Sequence, residues 1–150
     1  MKNLLFAFCL FFSLSLYAQP PQGQTRGDFK VERMVLLALE EDFPGATDIL
    51  WTKSGFNYEA AFQHDEFQMK ARYTKDGMLL FKEFVVPKSR YRTQGLNIVW
   101  EKLAESYPGY RLEGIYLCQS QSKEYYRAEI WYRGQSIKLQ YNTQGNLIGD

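Results

Sequence analysis

"FPGATDILW" at residues 43–51 has a partial echo, "YPGYRLEGI", at residues 107–115, and the fold follows from what surrounds the two stretches. Ahead of the first, Val35, Leu36, Leu39 and Phe43 fall at i, i+1, i+4 and i+8, one apolar face of a helix. The pattern predicts a helix running from Asp28, which offers a capping side chain, to about Phe43. Pro44 stops it, because the residue before a proline is pushed out of the helical region. Ahead of the second stretch, Leu96, Val99, Trp100, Leu103 and Tyr107 form a similar stripe, with Thr93 as the cap and Pro108-Gly109 as the stop. Val35 matches Val99, Leu36 matches Trp100, Leu39 matches Leu103 and Phe43 matches Tyr107 at a constant offset of 64. Four core positions in phase predict a duplication.

After each helix the apolar period changes from that of a helix to two, the mark of strands with one buried face. Phe56, Tyr58, Ala60 and Phe62 alternate with polar or small residues, and so do Phe67, Met69, Ala71 and Tyr73. "KDG" at 75–77 is a tight turn into a strand over 78–86. In the second copy Tyr126, Ala128, Ile130 and Tyr132 alternate, followed by Ile137, Leu139 and Tyr141. A turn at "TQG" (143–145) then places Gly145 against Gly77 at an offset of 68, so four residues were inserted near "CQSQSKE" (118–124). The expected fold is α+β: a helix and about four antiparallel strands, twice. The first repeat covers 28–86, a connector 87–95 and the second repeat 96–150. Halves of that size are marginal alone, so they should lean on one another or join their sheets.

The start of the chain sets the compartment. A basic "MKN" precedes an almost continuously apolar run at 4–16, too short for the ~20 residues of a membrane span. A small residue, Ala18, ends the stretch, so residues 1–18 read as a secretory signal peptide, with no membrane span after its removal. Residues 19–27 ("QPPQGQTRG") read as a polar, mobile tail. Loss of Lys2 leaves 17 basic against 17 acidic residues, and no field of one sign calls for nucleic acid. Only Cys118 remains after processing, so no internal disulfide forms and packing must supply the stability.

The helix ending in "FPGA" (43–46), Trp51, "YEAAF" (58–62), "ARYTKDGMLL" (71–80) and "YPG" (107–109) resemble a known group. It is the PepSY-like, beta-lactamase-inhibitor-like family of secreted Bacteroidetes-type proteins. The resemblance spans residues 28–150 and implies tandem helix-plus-antiparallel-sheet units, similar to the beta-lactamase inhibitory protein, whose concave sheet face holds its target. It also implies a binding role; the partner expected for an exported chain is a protein or peptide of the cell envelope.

Catalytic and metal chemistry find little support. His64 is the sole histidine, and its neighbours Asp65 and Glu66 point in different directions on a strand or tight turn. It reads as a solvated turn histidine, and no metal is expected. Cys118 has neither a glycine-framed elbow nor a helix start beside it, and reads as a partly buried thiol at a strand end. Intermolecular pairing is its second reading. Glu40-Glu41-Asp42, Glu101 and Glu105 read as solvated helix residues. No phosphate loop, dinucleotide fingerprint or serine elbow is present, so no cofactor and no catalytic residue is assigned.

The residues that stand out lie opposite the core on the long strand of the second repeat: Tyr125, Arg127, Glu129, Trp131 and Arg133. Aromatic side chains with arginine on a polar face are the composition of binding hot spots. The alternative is that Trp131 packs under the first repeat and closes the two halves. The binding residues assigned are Trp131, Tyr125, Arg127 and Arg133, with Lys70 and Arg72 on the equivalent sheet. Trp51, matched by Ile115, is given to the core, and Lys88, Arg90 and Arg92 to a solvated connector. The function expected is a secreted or periplasmic non-catalytic binding module; inhibition of an envelope protease or other hydrolase, and a structural envelope role, are the alternatives.

Overall fold

A computed structural model describes residues 22–91 and 96–149. The signal segment, part of the tail, and Arg92 and Thr93 of the connector lie outside the described residues. The chain runs β1 (Gln24–Thr25), α1 (Arg33–Asp42), β2 (Thr47–Ser54), β3 (Asn57–His64), β4 (Phe67–Tyr73) and β5 (Leu79–Val85). A 3-10 turn (Lys88–Arg90) leads to α2 (Leu96–Ser106), β6 (Arg111–Ser120), β7 (Glu124–Tyr132), β8 (Gln135–Asn142) and β9 (Leu147–Gly149). All nine strands form one sheet in chain order, parallel only between β1 and β2. The halves meet edge to edge: β5 pairs with β6 from Phe81↔Ser120 to Val85↔Tyr116, and the Val86 amide donates to the Ile115 carbonyl at 2.8 Å.

Cross-strand partners share a face, so the register sorts every side chain. Trp51, Ala60 and Ala71 lie in one row and Leu117, Tyr126 and Tyr141 in another, all on the side that carries both helices. Val35, Leu36, Leu39 and Phe43 of the first helical segment pack there against Trp51, Tyr58, Phe62 and Tyr73. Val99 and Leu103 pack against Ala128, Ile130, Leu139 and Tyr141. A further cluster of Val86, Tyr91, Leu96 and Ile115 lies beside the second, both packing against Leu112 and Tyr126. Alanines at 60, 71 and 128 leave room for the helices on the pleated surface, and each is buried.

The helix ends repeat one geometry. The Phe43 amide donates to Leu39 and the Tyr107 amide to Leu103, each at 2.9 Å, before the Pro-Gly turn. The β4–β5 and β8–β9 turns also agree. Met78 and Asn146 accept from the amides of Thr74 and Asn142, while Gly77 and Gly145 donate back to the same two residues. Both glycines have positive φ, 84° and 79°. A Cβ on Gly77 would lie 2.8 Å from the Met34 carbonyl, and one on Gly145 would overlap Ile98, the equivalent first-turn residue of the other helix. Glycine is required at both for backbone conformation and for space.

Several expectations change. The first helix begins at Arg33, with Glu32 in the cap position and no side-chain cap bond, so Asp28 caps nothing. Part of the tail expected to be mobile is β1: Gln24 and Thr25 pair with Leu50 and Trp51, filling the otherwise open edge of β2. Phe56 leaves the strand pattern because it sits in the β2–β3 turn, exposed, beside Gly55 at positive φ. His64 ends β3 and packs its ring edge-on to Phe43 at 5.6 Å, so it is half-buried instead of solvated. In the connector, Arg90 pairs with Glu66 at 2.9 Å and Tyr91 is buried against Trp100.

Candidate binding surface on the helix-free face

The other side of the sheet has no helix over it. Its longest row runs across eight strands: Gln24, Leu50, Ala61, Lys70, Glu83, Cys118, Tyr125 and Asn142, each the cross-strand partner of the next. Beside it lie Val85, Tyr116, Arg127 and Gln140, then Glu129 with Lys138, then Trp131 with Ser136. On the other flank are Glu59, Arg72 and Phe81. Of the six residues assigned to binding from sequence, Lys70, Arg72, Tyr125, Arg127 and Trp131 share this face. Arg133 does not join them. It occupies the β7–β8 turn at φ 50°, and its guanidinium stacks 5.1 Å from the ring of Tyr132, a helix-side residue.

Trp131 is 41% exposed and lies on the face away from both helices, so it does not close the two halves. Arg111 from the neighbouring strand sits over its ring at 5.8 Å. Trp51 is fully buried, as its match with buried Ile115 requires.

Glu83 organises the middle. It is only 4% exposed, the sole charged residue buried among those described, although no helix covers it. Arg127 donates to its carboxylate at 2.7 Å, Lys70 stands 3.6 Å away and the Cys118 thiol 3.9 Å away. Arg127 also bonds Glu129 at 3.1 Å and stacks on Tyr116 at 4.5 Å; Lys138 approaches Glu129 to 3.4 Å. A separate pair, Arg72–Glu59 at 2.9 Å, lies on the first-half side. Burial works against the Arg127 charge, but the bond and charge of Glu83 outweigh it and raise its pKa. The sequence hid Glu83 because "LLFKEFVV" at 79–86 has no clean alternation. A Lys-Glu pair inside that apolar run is the signal that marks it.

Two recesses hollow this face. One, of about 410 Å³, has Leu50, Ala61, Val85 and Tyr116 among its lining, with Lys70 and Glu83. The other, of about 650 Å³, is lined by the charged groups of the central network with Phe81 and Tyr125. They share Lys70, Glu83 and Tyr116, and so form one trough.

Residues tested for chemistry are kept apart. His64 is on the helix side and Cys118 on the helix-free side, so they form no nucleophile–base pair. Cys118 lies two residues from the end of β6 and is fully buried instead of partly so, which puts it out of reach for pairing between molecules. Burial, with Glu83 adding to it, pushes its thiol up to about 11, the opposite of an activated nucleophile. Asp42 accepts from the Tyr73 hydroxyl at 3.1 Å, and Glu105 pairs with Lys102 at 3.2 Å. Among the described residues no group of His, Cys, Asp or Glu is placed to hold a metal ion.

A one-sided sheet with two helices behind it and a recessed open face in front defines an α+β protein of the BLIP-like fold. Solved structures share it. A BLIP-like protein from Bacteroides fragilis NCTC 9343 superposes with a TM-score of 0.69 at 18% identity, covering 82% of this chain and 86% of that one. A protein proposed to be periplasmic, from Bacteroides eggerthii DSM 20697, gives 0.66 at 16% identity over 77% of this chain and 84% of its own. A DUF2874 family protein from Bacteroides uniformis ATCC 8492 gives 0.67 at 16%, with the same coverage. At these identities the likeness is one of fold. No family model and no curated protein matches the chain. No helix among the described residues is long and apolar enough to cross a membrane.

Proposed function

We propose that this is a secreted or periplasmic, non-catalytic module that holds a protein or peptide of the cell envelope against the helix-free face of its sheet. The observation that carries the reading is the exposed Trp131 on the same recessed face as Tyr125, Arg127, Lys70 and Arg72. Rigid aromatics and arginines around a buried charged centre are the arrangement from which interface hot spots are made. The face has strands and hydrogen-bonded ladders behind it, so it meets a partner without ordering a loop first. The apolar run at 4–16 supports export.

The two helix-plus-four-strand halves, 28–86 and 96–150, are read as copies of one ancestral unit. The matching glycine turns and helix ends support this, and the "FPGA" and "YPG" stretches support the PepSY-like affiliation. A second reading, inhibition of an envelope protease or other hydrolase, is favoured by the likeness to a BLIP-like protein. It adds the expectation of stoichiometric loss of some enzyme's activity.

The test is capture from envelope extract by the immobilised mature chain, by Trp131→Ala, and by Lys102→Ala on the helix side. The reading expects a partner retained by wild type and Lys102→Ala and lost by Trp131→Ala. Equal recovery of every partner by all three removes the surface.

A further inference from the structure

Charge on the helix-free face is layered. The carboxylates are sunk: the side chains of Glu83 and Glu129 are 5% and 18% exposed. The ammonium groups paired with them stand out, Lys70 at 51% and Lys138 at 66%. Their separations from the carboxylates, 3.6 and 3.4 Å, exceed the 2.7 Å of the Arg127–Glu83 bond. Each ammonium carries three donors and is tied to its carboxylate loosely, so donors remain for a visitor. The central recess holds Lys70, Arg72, Arg127 and Lys138 against Glu59, Glu83 and Glu129, one positive charge in excess. A single added carboxylate brings that cluster to neutrality, and low-dielectric walls strengthen its attraction.

From this, and resting on the binding-face reading above, we infer that the trough takes an acidic peptide segment of its protein partner. Its carboxylate is received at Lys138, with Lys70 lining the same recess from the β4 side, and an apolar side chain enters the recess floored by Leu50, Ala61 and Val85. Lys70 and Lys138 are four strands apart and two rows apart along the strands, ~23 Å in all at ~4.8 Å per strand and ~3.4 Å per residue, which an extended segment of about seven residues spans. Asp48 at the β2 end of the trough repels a second carboxylate and so turns the acidic end toward β8. A nucleic acid is disfavoured, because one excess charge does not match a run of phosphates.

The test uses a phage-displayed library of random peptides selected on the immobilised mature chain, with Trp131→Ala to identify binders of this face. The expected winners carry Asp or Glu near a bulky apolar residue. Their affinity falls about tenfold in Lys138→Ala and by less in Lys70→Ala, recovers in Lys138→Arg, and weakens as salt rises. Both lysines are exposed, and an unchanged urea midpoint checks that the variants fold. Winners that need Trp131 but lack carboxylates, or ignore both lysines and salt, overturn this inference and leave the binding face standing. Winners indifferent to Trp131 and to both lysines, or a library with no face-dependent winner, count against both.

Discussion

Ala60 and Ala128 hold equivalent places on the helix side of the two halves, and their neighbours on that side are interchangeable: Tyr58 with Tyr126, Phe62 with Ile130, Tyr73 with Tyr141. Turn the sheet over and the same strands disagree. Asn57, Glu59, Ala61 and Gln63 of β3 stand where β7 has Tyr125, Arg127, Glu129 and Trp131. The helix side answers to packing, which tolerates little change in volume. The helix-free side is released from that constraint in both halves: the first carries Phe81 and the Arg72–Glu59 and Lys70–Glu83 pairs, and the second adds Tyr125, Trp131 and the Arg127–Glu129–Lys138 group. The difference locates what is particular to this protein: a small, apolar recess on one half and a charged, aromatic wall on the other, meeting at Glu83.

The comparison can be broken first at the core. Trp51→Ala should cost about 4 kcal/mol and Ile115→Ala about 3 kcal/mol, since both are fully buried at equivalent positions. Urea unfolding followed by circular dichroism measures both. One shared transition is expected from the continuous sheet; separate transitions of the two halves would contradict it.

The charged groups come next. Arg127→Ala strands the buried Glu83 carboxylate with only the distant Lys70, and should cost about 3 kcal/mol. Its counterpart Glu59→Ala breaks a half-exposed pair with Arg72 and should cost less than about 1 kcal/mol. Equal costs would mean that the centre of the second half is not special.

A smaller effect is set by alkali. The Cys118 thiol lies at about 11 in the folded protein against 9.0 ordinarily, because burial disfavours the thiolate. Its neutral form therefore favours the fold fully below pH 9, and that contribution is lost as pH rises from 9 to 11. Tyr141, raised to about 12 from 10.0, adds a loss in the window above pH 10. Cys118→Ala should flatten the fall between pH 9 and 10; an unchanged slope would assign it elsewhere. Smallest is Trp131→Ala, which should shift stability by less than about 1 kcal/mol because the ring is 41% exposed and packs under no helix.

The helix stripes, the period-two strands, the core role of Trp51 and the two glycine turns were all legible in sequence, because each is a local pattern repeated at a fixed offset. The gathering of Lys70, Arg72, Tyr125, Arg127 and Trp131 on one face also followed from alternation alone. What was not legible depended on distant partners. Residues 24–25 become a strand only because β2 offers an open edge, which no local pattern in "QPPQGQTRG" records. Glu83 is buried because β5 joins β6 and brings Arg127 across from the other half, a contact 44 residues away in sequence. Arg133 lay in phase with Trp131, but the turn rotates it out of the strand's alternation.

On the proposed function, partners meet the helix-free face and not the helix side. A photo-crosslinking amino acid placed at position 140 on that face, and separately at position 102 on α2, measures this directly in envelope extract. Position 140 should give a discrete adduct that fades in the Trp131→Ala background, and position 102 should give none. Adducts from position 102 alone, or equally from both, would contradict it.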